Sequence, residues 1–186
     1  MNHLIVERKT PMTNAMKHTL RALLPLLLLA SLNATSARAQ TEAQTDAQKA
    51  FAAIKSMPGT WEGKGEDGQP LQVSFKVVSG GTAVMSEIQS DHAHDMISLF
   101  NMDGSRLLLT HYCSMGNQPR MQASVSPDGK TFTFNYVDAT NLSSPDAGHI
   151  QKMVLTLVDE NHHTENWTFV DHGKEVSRFF DLHRQL

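Results

Sequence analysis

The sequence predicts an all-β domain, an up-and-down antiparallel barrel of about ten strands with a short N-terminal helix across one end. Three observations predict it. From Thr60 onward apolar and polar residues alternate with period two. Leu71, Val73, Phe75 and Val77 are set against Gln72, Ser74 and Lys76, and such alternation marks half-buried strands. Turn signals recur at fairly even spacing, at Ser79-Gly80-Gly81, Met102-Asp103-Gly104, Pro127-Asp128-Gly129, Asp159-Glu160-Asn161 and Asp171-His172-Gly173. No second helical pattern of any length appears, which excludes βαβ units. Short antiparallel strands of this number form a sandwich or a closed barrel, and hairpin following hairpin favours the barrel.

Residues 1–39 stand apart from the rest. Lys17 and Arg21 give a positive flank, Leu20 to Leu32 is almost wholly apolar, and Ser36-Ala37-Arg38-Ala39 offers the small residues that a signal peptidase accepts. A cleaved export signal is expected, with the mature domain at 40–186, in the periplasm or outside the cell. The apolar run is about a dozen residues, short of the roughly 20 that a spanning helix needs, so no stable membrane anchor is expected. Five of the sixteen basic residues and one of the nineteen acids lie in the leader. The remainder carries eleven basic and eighteen acidic side chains, a net charge of −7. An acidic domain without a basic cluster is not expected to bind nucleic acid or an anionic membrane. About 147 residues suit one domain with a real core. A single cysteine, Cys113, leaves that core without an internal disulfide.

Residues 40–47 read as a polar tether. A short helix is expected from Thr45 to Ser56, with Phe51 and Ile54 on one face and Pro58-Gly59 as its stop. The strands are expected near 60–66, 70–78, 82–90, 95–101, 105–113, 119–126, 131–138, 148–158, 162–170 and 174–182, with the longest loop between Asp138 and Gly148.

The junction of helix and first strand reads Pro58-Gly59-Thr60-Trp61-Glu62-Gly63-Lys64-Gly65. A glycine, a tryptophan two residues on and further glycines resemble the opening of the calycin barrels, the lipocalins, fatty-acid-binding proteins and nitrobindin-like haem proteins among them. The resemblance covers about eight residues, though the plan of the whole domain is similar to secreted bacterial calycin-like domains of unknown function. It implies that Trp61 packs across the closed end of the barrel beneath the helix, with Gly59 and Gly63 in structural roles. It also implies one residue for haem. Nitrobindin-like proteins bind haem through a histidine near the C-terminus, and His183 is the position here that resembles it.

Eight histidines lie beyond the leader, and imidazole is the commonest metal ligand and general base. His92-Ala93-His94 would put two rings on one side of an extended chain, but a zinc site wants three or four ligands. Neighbours on a strand face opposite ways. If Trp167 and Phe169 point inward, His163 and Glu165 do too, placing an imidazole beside a carboxylate inside the barrel. His111 shares a face with Leu107 and Leu109. Arg120 is out of phase with Met121, and is either an outer residue or a cavity cation. His149 begins a strand after the longest loop. The scattered methionines read as adaptable core filler.

The expected function is binding, without a defined reaction. An exported barrel would hold a small apolar or amphipathic molecule against His111, His163, Glu165, Arg120 and His149, with no cofactor predicted. Two other readings stay open. One is a haem or metal (zinc) protein using His183 or the His92/His94 pair. The other is an acid–base enzyme using His163, Glu165 and His111, although no nucleophile elbow, H-E-x-x-H run or phosphate loop is present.

Overall fold

A computed structural model describes residues 43–65, 68–90 and 93–185. The expected leader and its expected cleavage point lie outside the described residues. The helix α1 (Asp46–Ile54) starts where its cap dictates. Thr45 holds an extended backbone, its hydroxyl accepts from Gln48 N, and the Gln48 side chain accepts from Thr45 N. This reciprocal capping box satisfies two otherwise orphaned donors. Ala50, Phe51 and Ile54 form the buried face.

Ten strands follow. They are β1 (Gly59–Lys64), β2 (Pro70–Val78), β3 (Ala83–Ser90), β4 (Ala93–Asp103), β5 (Arg106–Tyr112), β6 (Gln118–Val125), β7 (Thr131–Thr140), β8 (His149–Asp159), β9 (His162–Asp171) and β10 (Lys174–Arg184). Each pairs antiparallel with its sequence neighbours, and β1 pairs with β10 to close the barrel. The predicted fold class is the observed one. The differences lie at the ends, where β1 stops two residues early and β10 runs two residues further, to Arg184. Register explains the extension: Trp61 to Lys64 pair with Arg184 to Asp181, so the last residues of β10 are held by the seam.

That seam requires Gly63. A Cβ there would lie 2.0 Å from the Asp181 carbonyl oxygen, and backbone cannot yield as a side-chain tip does. Gly59 has φ +126°, a conformation open to glycine and strained for other residues.

The inward row of each strand fills one continuous core, with Val73, Phe100, Leu107, Leu109, Phe132, Phe134, Leu155 and Leu182 fully enclosed. The helix packs against β4, β5 and β6 at the end of the barrel where the chain enters. Trp61 is buried beside the helix exit. Its Nε1 donates to Met57 O at 3.0 Å, and the Arg184 guanidinium lies 4.2 Å from its ring centre. Arg184 also donates to the carbonyls of Pro58 and Glu160, tying helix exit, β8–β9 turn and last strand together. The opposite end carries the β5–β6, β7–β8 and β9–β10 loops.

Candidate functional site: a polar row inside the barrel

The inward row of β9 departs from the apolar core. His163, Glu165 and Trp167 point into the barrel, with His163 0% and Glu165 1% exposed. Their cross-strand partners on β8 are Leu157, Leu155 and Met153. Alternate residues on a strand stand roughly 6.5–7 Å apart, close enough for one carboxyl group to bridge both neighbours. Glu165 Oε2 accepts from Trp167 Nε1 at 2.8 Å, and Oε1 accepts from His163 Nε2 at 3.3 Å. Burying such a group without partners costs several kcal/mol, so both bonds are needed. The His163 ring meets Trp61 edge-on at 4.4 Å and Phe75 at 5.6 Å, which links the polar row to the helix-covered end.

His111 approaches from β5, four strands away around the barrel. Its ring centre is 4.9 Å from that of Trp167, so the two side chains meet across the interior. Ser98, directly opposite on β4, bonds His111 Nδ1 at 2.9 Å. Burial pushes the His111 pKa down to about 4, leaving a neutral ring at neutral pH. Two buried ring nitrogens, His111 Nε2 and His163 Nδ1, have no hydrogen-bond partner among the described residues.

Three of the five sequence-predicted ligand residues therefore come together: His163 and Glu165 by direct contact, His111 through the Trp167 indole. His149 stands apart, at the loop-bearing end. Its Nδ1 donates to Ala147 O at 2.7 Å, and its ring lies 4.6 Å from Tyr136. Arg120 is not a cavity cation. Met121 takes the inward position on β6, so Arg120 faces out and forms a two-pronged ion pair with Asp138. Its guanidinium holds the Asp138 carboxyl below the usual carboxylate range. His183 also faces out, because Leu182 and Arg184 take the inward phase. Its side chain is 64% exposed and stands beside His162 and Asp181. His92 lies outside the described residues, and His94 falls near the start of β4.

Sequence reasoning missed Ser98 and Asn117. Ser98 occupies an inward position between Met96 and Phe100, so the period of β4 carries the signal. Asn117 is buried and donates to Gly148 O at 2.8 Å, clasping two loops at the end opposite the helix. No local pattern announces that contact between residues 31 apart.

Open clefts lie on the outside. One of about 610 Å³ is bounded by Glu62, Gly63, Pro70, Leu71, Gln72, Gln89 and Asp95. Another of about 590 Å³ lies beside the helix, bounded in part by Met57, Trp61, Leu157 and Arg184. Phe169 and Phe180 are half-buried against the core, and Leu71, Ile88 and Ile150 are buried.

No protein-family model matches the chain, and no curated protein matches it. Among solved structures it is similar to Rv2717c from M. tuberculosis, with a TM-score of 0.50 and 17% identity, over 74% of this chain and 98% of that one. A redesigned β-barrel aligns with a TM-score of 0.37 and 14% identity, over 72% of this chain and 96% of its own. At 17% identity the likeness to Rv2717c is one of fold, in keeping with the closed ten-strand antiparallel barrel.

Proposed function

We propose that this domain, exported behind its leader, binds one small apolar or amphipathic molecule through the end of the barrel opposite the helix. The polar part of the ligand would meet His111 and Trp167, and its apolar part would lie against the Phe169 and Phe180 walls. One observation carries the reading: a linked polar row, His163–Glu165–Trp167 and then His111–Ser98, crosses a core whose buried side chains are mostly apolar, with Ser86 paired to Ser98 at its edge. A core built only for stability would fill these positions with aliphatic side chains, since buried polar groups return little net energy even when paired. A few polar groups converging within an apolar enclosure are the usual make-up of a small-molecule site. The unpartnered His111 Nε2 supplies one hydrogen bond to a ligand.

The two tryptophans make the test direct. Both lie in the core, and Trp61→Phe leaves Trp167 as the sole indole reporter. Brominated dodecanol and brominated dodecanoic acid quench an indole on contact. Saturable quenching of Trp167 at one molecule per chain, competed by the unbrominated compounds, is the expected result. Absence of saturable quenching up to roughly 1 mM, the limit of weak binding near 4 kcal/mol, would sink the reading. Export is tested separately, by the mass of the protein recovered outside the cytoplasm, which should lack residues 1–39.

A further inference from the structure

The outer face of the same two strands carries a different cluster. His162 on β9 and His183 on β10 are direct cross-strand partners, and Asp181 lies two residues before His183 on the same face. The imidazoles stack with centres 4.3 Å apart and planes 19° from parallel. Both Nε2 atoms are directed at one oxygen. Asp181 Oδ1 is 2.6 Å from His162 Nε2 and 3.8 Å from His183 Nε2, and one ligating atom from each of the three residues lies within 4.8 Å of the others.

We propose that His162, Asp181 and His183 form a binding site for a divalent transition-metal ion, with Zn²⁺ as its reference occupant. Zinc–ligand bonds of about 2.0–2.1 Å at tetrahedral angles put ligating atoms about 3.3 Å apart. The two observed separations to Asp181 bracket that value and all three lie within 4.8 Å, so turning the two stacked rings about their side-chain torsions brings both Nε2 atoms onto one ion without movement of the sheet. Two neutral imidazoles and a carboxylate suit zinc and its neighbours in the first transition row rather than calcium or magnesium, which take all-oxygen shells. Three protein ligands leave a fourth position to solvent, and the exposure of His183 and Asp181, at 64% and 56%, leaves it accessible. The scaffold is rigid where it matters. Asp181 and His183 are fixed by pairing to β9 on one side and to Lys64 and Glu62 of β1 on the other. The ion would therefore bridge β9 and β10 beside the seam that closes the barrel.

This site is on the opposite face of the sheet from the proposed ligand site, and its test does not depend on that reading. The molecule contains its own control, because His172 also meets a carboxylate, Asp171, at 2.8 Å, but as a two-residue pair. The full chain is titrated with Zn²⁺ alone while the histidine ring resonances are followed by NMR. The His162 and His183 signals are expected to move together and to saturate at one ion per chain, with those of His172 and His149 unmoved at that point. Asp181→Asn should weaken binding about tenfold or more, and His162→Gln and His183→Gln should each abolish the saturable step. All three positions are at the surface, and circular dichroism of each variant confirms that the barrel is intact. Binding of equal strength in Asp181→Asn, or saturation that moves other histidines first, overturns the proposal.

Discussion

His162 and His163 are neighbours in sequence, and each stands within hydrogen-bond reach of a carboxyl group. One pair faces water and the other faces the core. His162 meets Asp181 across the strand at 2.6 Å, with a quarter of its side chain exposed. His163 meets Glu165 along the strand at 3.3 Å, with none of its side chain exposed. The same two chemistries differ in consequence because solvent differs. On the outside, water competes for both partners and salt screens them, so the pair contributes little to stability. On the inside nothing competes, and each partner depends on the other for its hydrogen bonds. The outer pair is accessible to an ion from solvent. The inner pair supplies the carboxyl oxygen that holds Trp167 Nε1 inside the barrel.

The comparison is broken most directly from the inside. His163→Ala removes the partner of Glu165 Oε1 and the ring that packs against Trp61 and Phe75. Loss of a buried partner and the cavity left behind should together cost about 3–5 kcal/mol, read as a lowered midpoint in urea with unchanged slope. Glu165→Gln should cost less, about 1–3 kcal/mol, because the amide oxygen still accepts from Trp167 Nε1. A cost for His163→Ala no larger than that of an exposed histidine would mean that the inner pair has no special standing.

His111 sharpens the comparison, being an interior histidine with no acid beside it. Burial lowers its pKa from 6.5 to about 4. Between those values the unfolded chain takes up a proton that the folded chain refuses. Its contribution is therefore fully present above pH 6.5 and is lost as pH falls towards 4. Between pH 7 and pH 5 the parent should lose about 2 kcal/mol more stability than His111→Gln, which keeps a partner for Ser98 but does not titrate. Equal losses in the two proteins would show that the ring is not desolvated.

The two histidine neighbourhoods were not equally legible in the sequence. Period two, read from Trp167 and Phe169, was enough to turn His163 and Glu165 inward, because both partners lie on one strand and their contact follows from alternation. Ten strands and the short helix were legible for the same reason: alternation, helical spacing and turns are local. The outer group is different. His162 lies nineteen residues from Asp181, and only the register between β9 and β10 brings them together. Register is set by a whole hairpin rather than by any short run. The same register turned His183 outward, and the inward phase of Met121 turned Arg120 outward. A single residue's type could decide neither. At His149 a break in the β8–β9 pairing between Ile150 and Lys152 interrupts alternation, so phase counting fails there for a physical cause.

The smallest effect is expected on the outer face. Asp181→Asn keeps the shape of the side chain and removes its charge. With metal removed by a chelator, it should cost about 1 kcal/mol or less. That cost should shrink further between 0.1 M and 1 M salt, as the screening length falls from about 10 Å to about 3 Å. The Glu165→Gln cost should not change over the same range, because ions do not enter the core. Urea denaturation of both variants at both salt concentrations gives four numbers. Only one of them, the outer variant at low salt, should move. If the inner variant moves with salt as well, then water reaches Glu165, and the polar row belongs to a solvated channel rather than a dry enclosure. That outcome would change which ligands the barrel can take, since a wet row selects for polar molecules and a dry one for molecules that bring a single polar group.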